Sequence, residues 1–192
     1  MDKFFGNLHA VLAAGFVLAI AILVSPFYTD YVTLDANHIF QWLHVFFGIV
    51  WIGLLYYFNF VQIPTMPSIP AELKPGVSKY IAPKALFFFR WGAVATVVTG
   101  LILAWLYDEL HSGLAFKPGY QLIGLGMWLA TIMFINVWGF IWPNQKIALG
   151  IVEADADAKA KAGRTAMLFS RTNLLLSIPM LTSMTMTQTL FG

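Results

Sequence analysis

The chain contains no cysteine. That excludes disulfides, thiolate-held zinc and iron–sulfur sites, and covalent haem attachment through a C-x-x-C-H motif, so any haem here is held non-covalently. Charge is also scarce. Asp, Glu, Lys and Arg make up 10% of the 192 residues, against roughly 25% in a soluble domain. With 59% hydrophobic residues, the composition is that of a membrane protein whose main surroundings are lipid. No basic patch is interleaved with base-stacking aromatics, which excludes nucleic acid as a partner. No acidic residue interrupts a long apolar run and no inverted repeat is visible, so a proton- or sodium-coupled transporter is disfavoured.

What remains is apolar sequence cut into pieces by charge. Charge-free stretches run over 4–29, 36–71, 91–107, 118–145 and 172–192, each able to hold a helix of the ~20 residues that cross a bilayer. Proline ends the second helix near Gln62, because Pro64, Pro67 and Pro70 follow. The expectation is an all-α integral membrane protein, a five-helix transmembrane bundle with helices near 7–28, 38–62, 85–107, 119–143 and 163–189, forming a single domain over 1–192. The first apolar run, 8–24, is longer than a signal-peptide core, and Ser25-Pro26-Phe27 lacks a small-x-small cleavage pattern. It reads as a retained anchor.

Segments 72–90 and 146–171 hold nine of the eleven bases. The positive-inside rule makes both cytoplasmic, which puts the N-terminus in the cytoplasm and the C-terminus in the periplasm of a bacterial inner membrane. Aromatic belts agree: Phe27, Tyr28, Tyr31, Trp105, Tyr107 and Tyr120 at one interface, Tyr56, Tyr57, Trp91, Trp138 and Trp142 at the other.

Residues 39–61 carry no charged group and one histidine, His44. An ionisable residue inside hydrocarbon is expensive and so a functional candidate. Gly48, Trp51, Leu55, Asn59 and Gln62 continue its face at spacings of three and four. Small residues there, and Ala93, Thr96, Gly100 and Leu103 on the third helix, permit close helix approach or admit a planar ligand such as haem b. By helix rise His44 lies roughly 8 Å below the outer surface, level with Met184. A His–Met or bis-His haem site is thus one reading of His44; a helix–helix hydrogen bond and a proton relay are the others. On the fifth helix Ser170, Asn173, Ser177, Leu181 and Met184 share a face, with Pro179 among them. Near the cytoplasmic boundary Asn59, Gln62, Arg90, Asn136, Asn144, Gln145, Lys146, Arg171 and Asn173 form a second polar concentration. Arg90 and Arg171 are its leading anion-binding candidates, for a polar ligand or a haem propionate; snorkelling to headgroups and bundle glue are the alternatives. His44 and the two arginines lie at opposite ends, roughly 20 Å apart by helix rise, too far for one haem to use both easily.

The runs WLHVFFGIVWIGLLYYFNF (42–60), FFFRWGA (87–93), NVWGFIWPNQK (136–146) and SRTNLLLSIPM (170–180) resemble the membrane domain of the cytochrome-c-linked urate hydroxylase family, the urate oxidase N-terminal type. The His44, Trp51 and Gly53 spacing is also similar to HemJ-like protoporphyrinogen oxidases, whose corresponding histidine is associated with haem b. The resemblance implies a membrane redox context. Its motif positions here are His44, Trp51, Arg90, Asn136, Arg171 and Asn173. Full-length family members carry a C-terminal c-type cytochrome, and this cysteine-free sequence holds none. The expectation is a haem-b-binding oxidoreductase or electron-transfer component of a respiratory chain, serving a c-type cytochrome or a larger complex. The alternative is a non-catalytic accessory subunit of a membrane redox or monooxygenase complex.

Overall fold

A computed structural model describes residues 2–25 and 34–190, and every regular element among them is helical. The elements are α1 (Asp2–Phe5), α2 (Leu8–Leu23), α3 (Ala36–Ser68), α4 (Lys74–Leu106), α5 (Leu110–Leu114), α6 (Gln121–Ala148) and α7 (Ala156–Leu190). Two compact units are distinguished, residues 1–39 and 40–192.

In the first unit Asn7 caps α2, its side-chain oxygen accepting from the backbone N–H groups of His9 and Ala10. Asp35 does the same for α3: its carboxylate accepts from the His38 N–H and lies 2.7 Å from the His38 ring nitrogen Nδ1. The outer-interface residues Phe27, Tyr28 and Tyr31 lie outside the described residues.

Three helices, α3, α4 and α6, are long and apolar enough to cross a membrane. The five expected spans thus reduce to three on this criterion. α2 has 16 residues, about 24 Å of rise and short of a ~30 Å hydrocarbon core. α7 has 35 residues, but its Ser, Thr and Asn content lowers its mean hydropathy.

Proline does not end the second long helix at Gln62. α3 continues to Ser68 because the turn Tyr57–Gln62 widens into π geometry just before Pro64. Proline has no N–H to donate and its ring clashes with the carbonyl four residues back; an expanded turn relieves both. The same device recurs twice. Val77–Ile81 is π ahead of Pro83, and Asn136–Ile141 is π ahead of Pro143. So α4 begins eleven residues before the expected 85, and α6 runs to Ala148 rather than 143. There Gly150, at φ 73°, closes the helix: its N–H reaches the Ile147 carbonyl and that of Ile151 the Lys146 carbonyl.

In the second unit α3, α4, α6 and α7 pack antiparallel in turn. His44, Gly48 and Trp51 of α3 meet Gly100, Thr96 and Gly92 of α4. Phe58 meets Phe89 edge-on at 5.6 Å, and Trp91 of α4 meets Trp138 of α6 at 5.9 Å. Phe140 stacks on Phe169 of α7 at 4.3 Å. Trp51, Leu55, Phe89, Ala93, Met133, Val137 and Ala166 are buried at the centre. The buried face of α7 runs Ala166, Ser170, Asn173, Ser177, Met180 and Ser183. Leu181, expected on that face, is exposed.

Candidate functional site

His44 sits one end of the α3–α4 seam. Its Nδ1 lies 2.9 Å from the backbone oxygen of Thr96. A carbonyl only accepts, so Nδ1 carries the proton and the lone pair lies on Nε2. The same carbonyl also accepts from Thr99 Oγ1, which is shared with the Ala95 oxygen, while Thr96 Oγ1 donates to the Gly92 oxygen. Gly100 is what admits the ring. A Cβ added there would lie 2.7 Å from His44 Cε1 and 2.9 Å from Nδ1, closer than real Cβ contacts. The glycine expected to make room for a macrocycle therefore makes room for the imidazole. A Cβ at Gly48 would meet only the Thr96 γ-methyl, at 3.9 Å. Trp51 is fully buried, with Gly92 packed against its backbone. Met184, the second expected ligand, packs against α6: a Cβ at Gly126 would lie 3.2 Å from its sulfur.

The opposite end of the bundle holds the polar residues, but in three separate groups. In the first, Asn59 sits in the π turn of α3 and donates through Nδ2 to the Leu55 carbonyl and to Ser170 Oγ. Its Oδ1 and the Oε1 of Gln62 are buried without partners. A cavity of about 80 Å³ opens between all four helices there, lined by Gln62, Gln145 and Ser170 among apolar side chains. In the second, Asn136 Nδ2 donates to Asn173 Oδ1, and Asn173 Nδ2 donates to the Met133 carbonyl, both at 2.9 Å. Asn136 opens the π turn of α6, so Asn173 satisfies backbone beside the irregular turn. In the third, the Arg90 guanidinium lies 3.4 Å above the Trp142 ring, and Lys146 Nζ lies 5.9 Å from that same ring. Arg171 joins none of these. It is exposed on the outer face of α7, two residues from fully buried Asn173.

A family model described as urate oxidase N-terminal matches residues 90–189. The chain belongs to that family. No curated protein and no solved structure matches the chain. The match takes in Arg90, Gly100, Asn136, Arg171, Asn173 and Met184; the run 42–60, with His44, Gly48 and Trp51, precedes it. In this urate oxidase N-terminal domain, then, the family stretch spans the polar end and three of the four packed helices.

Trp142, Ser170 and Ser177 are participants that the sequence offered only in other roles, and Lys146 stood in the polar concentration without its indole partner. Trp142 stood only as a belt aromatic, and Ser177, which meets Tyr56 Oη at 3.2 Å, only as a stripe position. The signal for Trp142 and Lys146 is their i, i+4 spacing, which places both on one helix face. From Gly100 to Arg90 is ten residues, about 15 Å of rise, so the two ends of the domain are distinct sites.

Proposed function

We propose that this urate oxidase N-terminal domain is a haem-b-binding electron-transfer component of a bacterial inner-membrane redox chain, in which His44 would hold the haem iron through Nε2. The observation that supports the reading is the 2.9 Å bond from Nδ1 to the Thr96 carbonyl. A ligating histidine commonly donates its other ring N–H to a carbonyl, which fixes tautomer and orientation and raises basicity. A neutral imidazole with its lone pair on Nε2 is a suitable ligand for haem iron; the glycines do not form a cradle beside it, since helix α4 and the imidazole itself occupy that space. Bound haem supplies one-electron chemistry. The chain's own contribution is to hold one imidazole rigid, with Gly100 flat against it and Thr96 orienting it. Met184 is not the second ligand in this reading.

The topology belongs to the same proposal. All five helices cross the membrane, the N-terminus is cytoplasmic, and the C-terminus is periplasmic. What supports α7 as a span is that most of its described hydroxyls are satisfied within the helix. Thr172, Thr182, Ser183, Thr185 and Thr187 each donate to the carbonyl four residues earlier, and Ser177 to that of Leu174. Such a helix is less polar in lipid than its composition implies. A c-type cytochrome or a larger complex would take the electron.

The test is an absorption spectrum with a haem assay on protein purified from haem-replete cells. Wild type should show a Soret band and His44→Ala should lose it while remaining helical and monodisperse. A wild type without the band sinks the proposal. A second reading, an accessory subunit without haem, is favoured by the Asn59–Ser170 and Asn136–Asn173 pairs, which spend buried polar groups on joining helices. Co-migration with a larger assembly on mild-detergent native gels, with no Soret band, supports it.

A further inference from the structure

We infer that Arg90, Trp142 and Lys146 form a binding site for a phosphate oxyanion at the polar end of the bundle, independent of His44. Two cations flank one indole: the Arg90 guanidinium at 3.4 Å from the ring centre and the Lys146 ammonium at 5.9 Å. Neither has an ion-pair partner among the described residues. Like charges converging on one ring repel unless an anion joins them, and the indole face compensates each only by a cation–π attraction.

The hydrogen bonding points the same way. Arg90 Nε and Nη1 are buried and donate to nothing. A buried donor left unmade costs free energy, more so for a charged group. The position on Trp142 is therefore a poorly compensated resting place. A guanidinium offers a planar fork that matches two phosphate oxygens, which a lysine alone does not. Trp138, four residues before Trp142, leaves a third buried donor, Nε1, unpartnered on the same helix. Matching acceptors are lacking among the described residues of 40–192: Glu72, Asp108, Glu109, Glu153, Asp155 and Asp157 form no ion pair with either cation.

The shared chemistry is a phosphate oxyanion, and it has two sources. An anionic phospholipid headgroup fits best. Arg90 and Lys146 stand where apolar spans α4 and α6 reach their basic connections, the level at which headgroups meet a protein. Arg171 is also basic and near that level, but it lies exposed, with neither indole nor ion-pair partner among the described residues.

The experiment is native mass spectrometry of the whole chain released from detergent micelles. Phosphatidylglycerol, phosphatidylcholine and inorganic phosphate are titrated separately. Wild type should retain one phosphatidylglycerol in preference to phosphatidylcholine. Arg90→Gln and Lys146→Gln should each weaken that retention about tenfold or more, and Arg171→Gln should not. Because Arg90→Gln also uncovers Trp142, Lys146→Gln guards against a folding artefact. Specific retention of inorganic phosphate that both variants abolish, without preference for the anionic lipid, assigns the site to free phosphate. Equal retention by wild type and both variants overturns the inference, as does equal loss in Arg171→Gln.

Discussion

Replacing Gly100 by alanine tests the geometry of the His44 seam directly. The new methyl would sit 2.7 Å from Cε1 and 2.9 Å from Nδ1 of His44. Two responses are open. If the ring swings away, the bond to Thr96 is lost, at about 0.6 kcal/mol on average for membrane hydrogen bonds and up to about 1.7. If it stays, α3 and α4 separate, at the ~1–3 kcal/mol typical of overpacking. Against either stands the ~1 kcal/mol that alanine gains over glycine in a helix. Gly53→Ala removes that offset, since a Cβ at Gly53 meets nothing within 4 Å. Relative to Gly53→Ala, Gly100→Ala should be destabilised by about 1–3 kcal/mol. The assay is reversible unfolding in mixed micelles followed by tryptophan fluorescence. His44→Ala supplies the second arm, because without the ring the methyl has space. In that background the cost of Gly100→Ala should vanish. A coupling below the ~0.5 kcal/mol seen between independent sites would refute the close packing of imidazole on glycine.

Three further outcomes follow from other places in the chain. Asn173→Ala strands Asn136 Nδ2 inside the bundle and leaves the Met133 carbonyl only its bond from the Asn136 backbone N–H; the same unfolding assay should show a loss of about 1–3 kcal/mol, and a near-neutral variant would mean the pair is not formed. Gly124→Ala drives a methyl into the Gly113 carbonyl at the α5–α6 corner, backbone against backbone, so the loss should reach about 3 kcal/mol or prevent folding; wild-type stability there would show the corner to be looser. Burial is the largest single influence on Asp35 and raises its pKa, but hydrogen bonds from the His38 backbone and ring, attraction to that ring and the Asn37 N–H together outweigh it and leave the pKa below 3.8. A depressed carboxylate stabilises above its unfolded pKa, and that contribution disappears as pH falls through the folded value. An NMR titration of Asp35 should therefore have its midpoint below 3.8, and one at or above it would break the reading of the cap.

The faces of the helices were legible in the sequence because apolar and small residues repeat at helical spacing. Gly48, Trp51, Leu55 and Asn59 on α3, and Ala93, Thr96 and Gly100 on α4, lie together as that spacing implies. The family was legible too, in the runs around Arg90, Asn136 and Asn173. Helix ends were not, because a proline reads as a stop only when the turn before it keeps α geometry. The role of Gly100 stayed open in the sequence for a related reason: a small residue opposite a histidine is compatible with a ligand or with the histidine's own ring, and composition does not choose. Arg171 and Arg90 look alike in sequence, each opening a charge-free run. Rotation about the helix axis separates them, and only packing reveals that Arg90 has an indole beneath it while Arg171 does not.

The three π turns ahead of Pro64, Pro83 and Pro143 have a meaning beyond local hydrogen bonding. A widened turn is equivalent to one residue inserted into an otherwise regular helix. Everything beyond it is rotated by about 100° relative to an uninterrupted helix. All three fall at the same end of the bundle, so the molecule is written in two reading frames. The frame containing His44, Gly48 and Gly100 is set by ordinary helical repeat. The frame containing Gln62 and Trp142 is set by the insertion. Deleting a single residue from one of these turns would leave the histidine seam in register and turn the polar end to face elsewhere, which makes the two ends separable objects for evolution and for engineering alike.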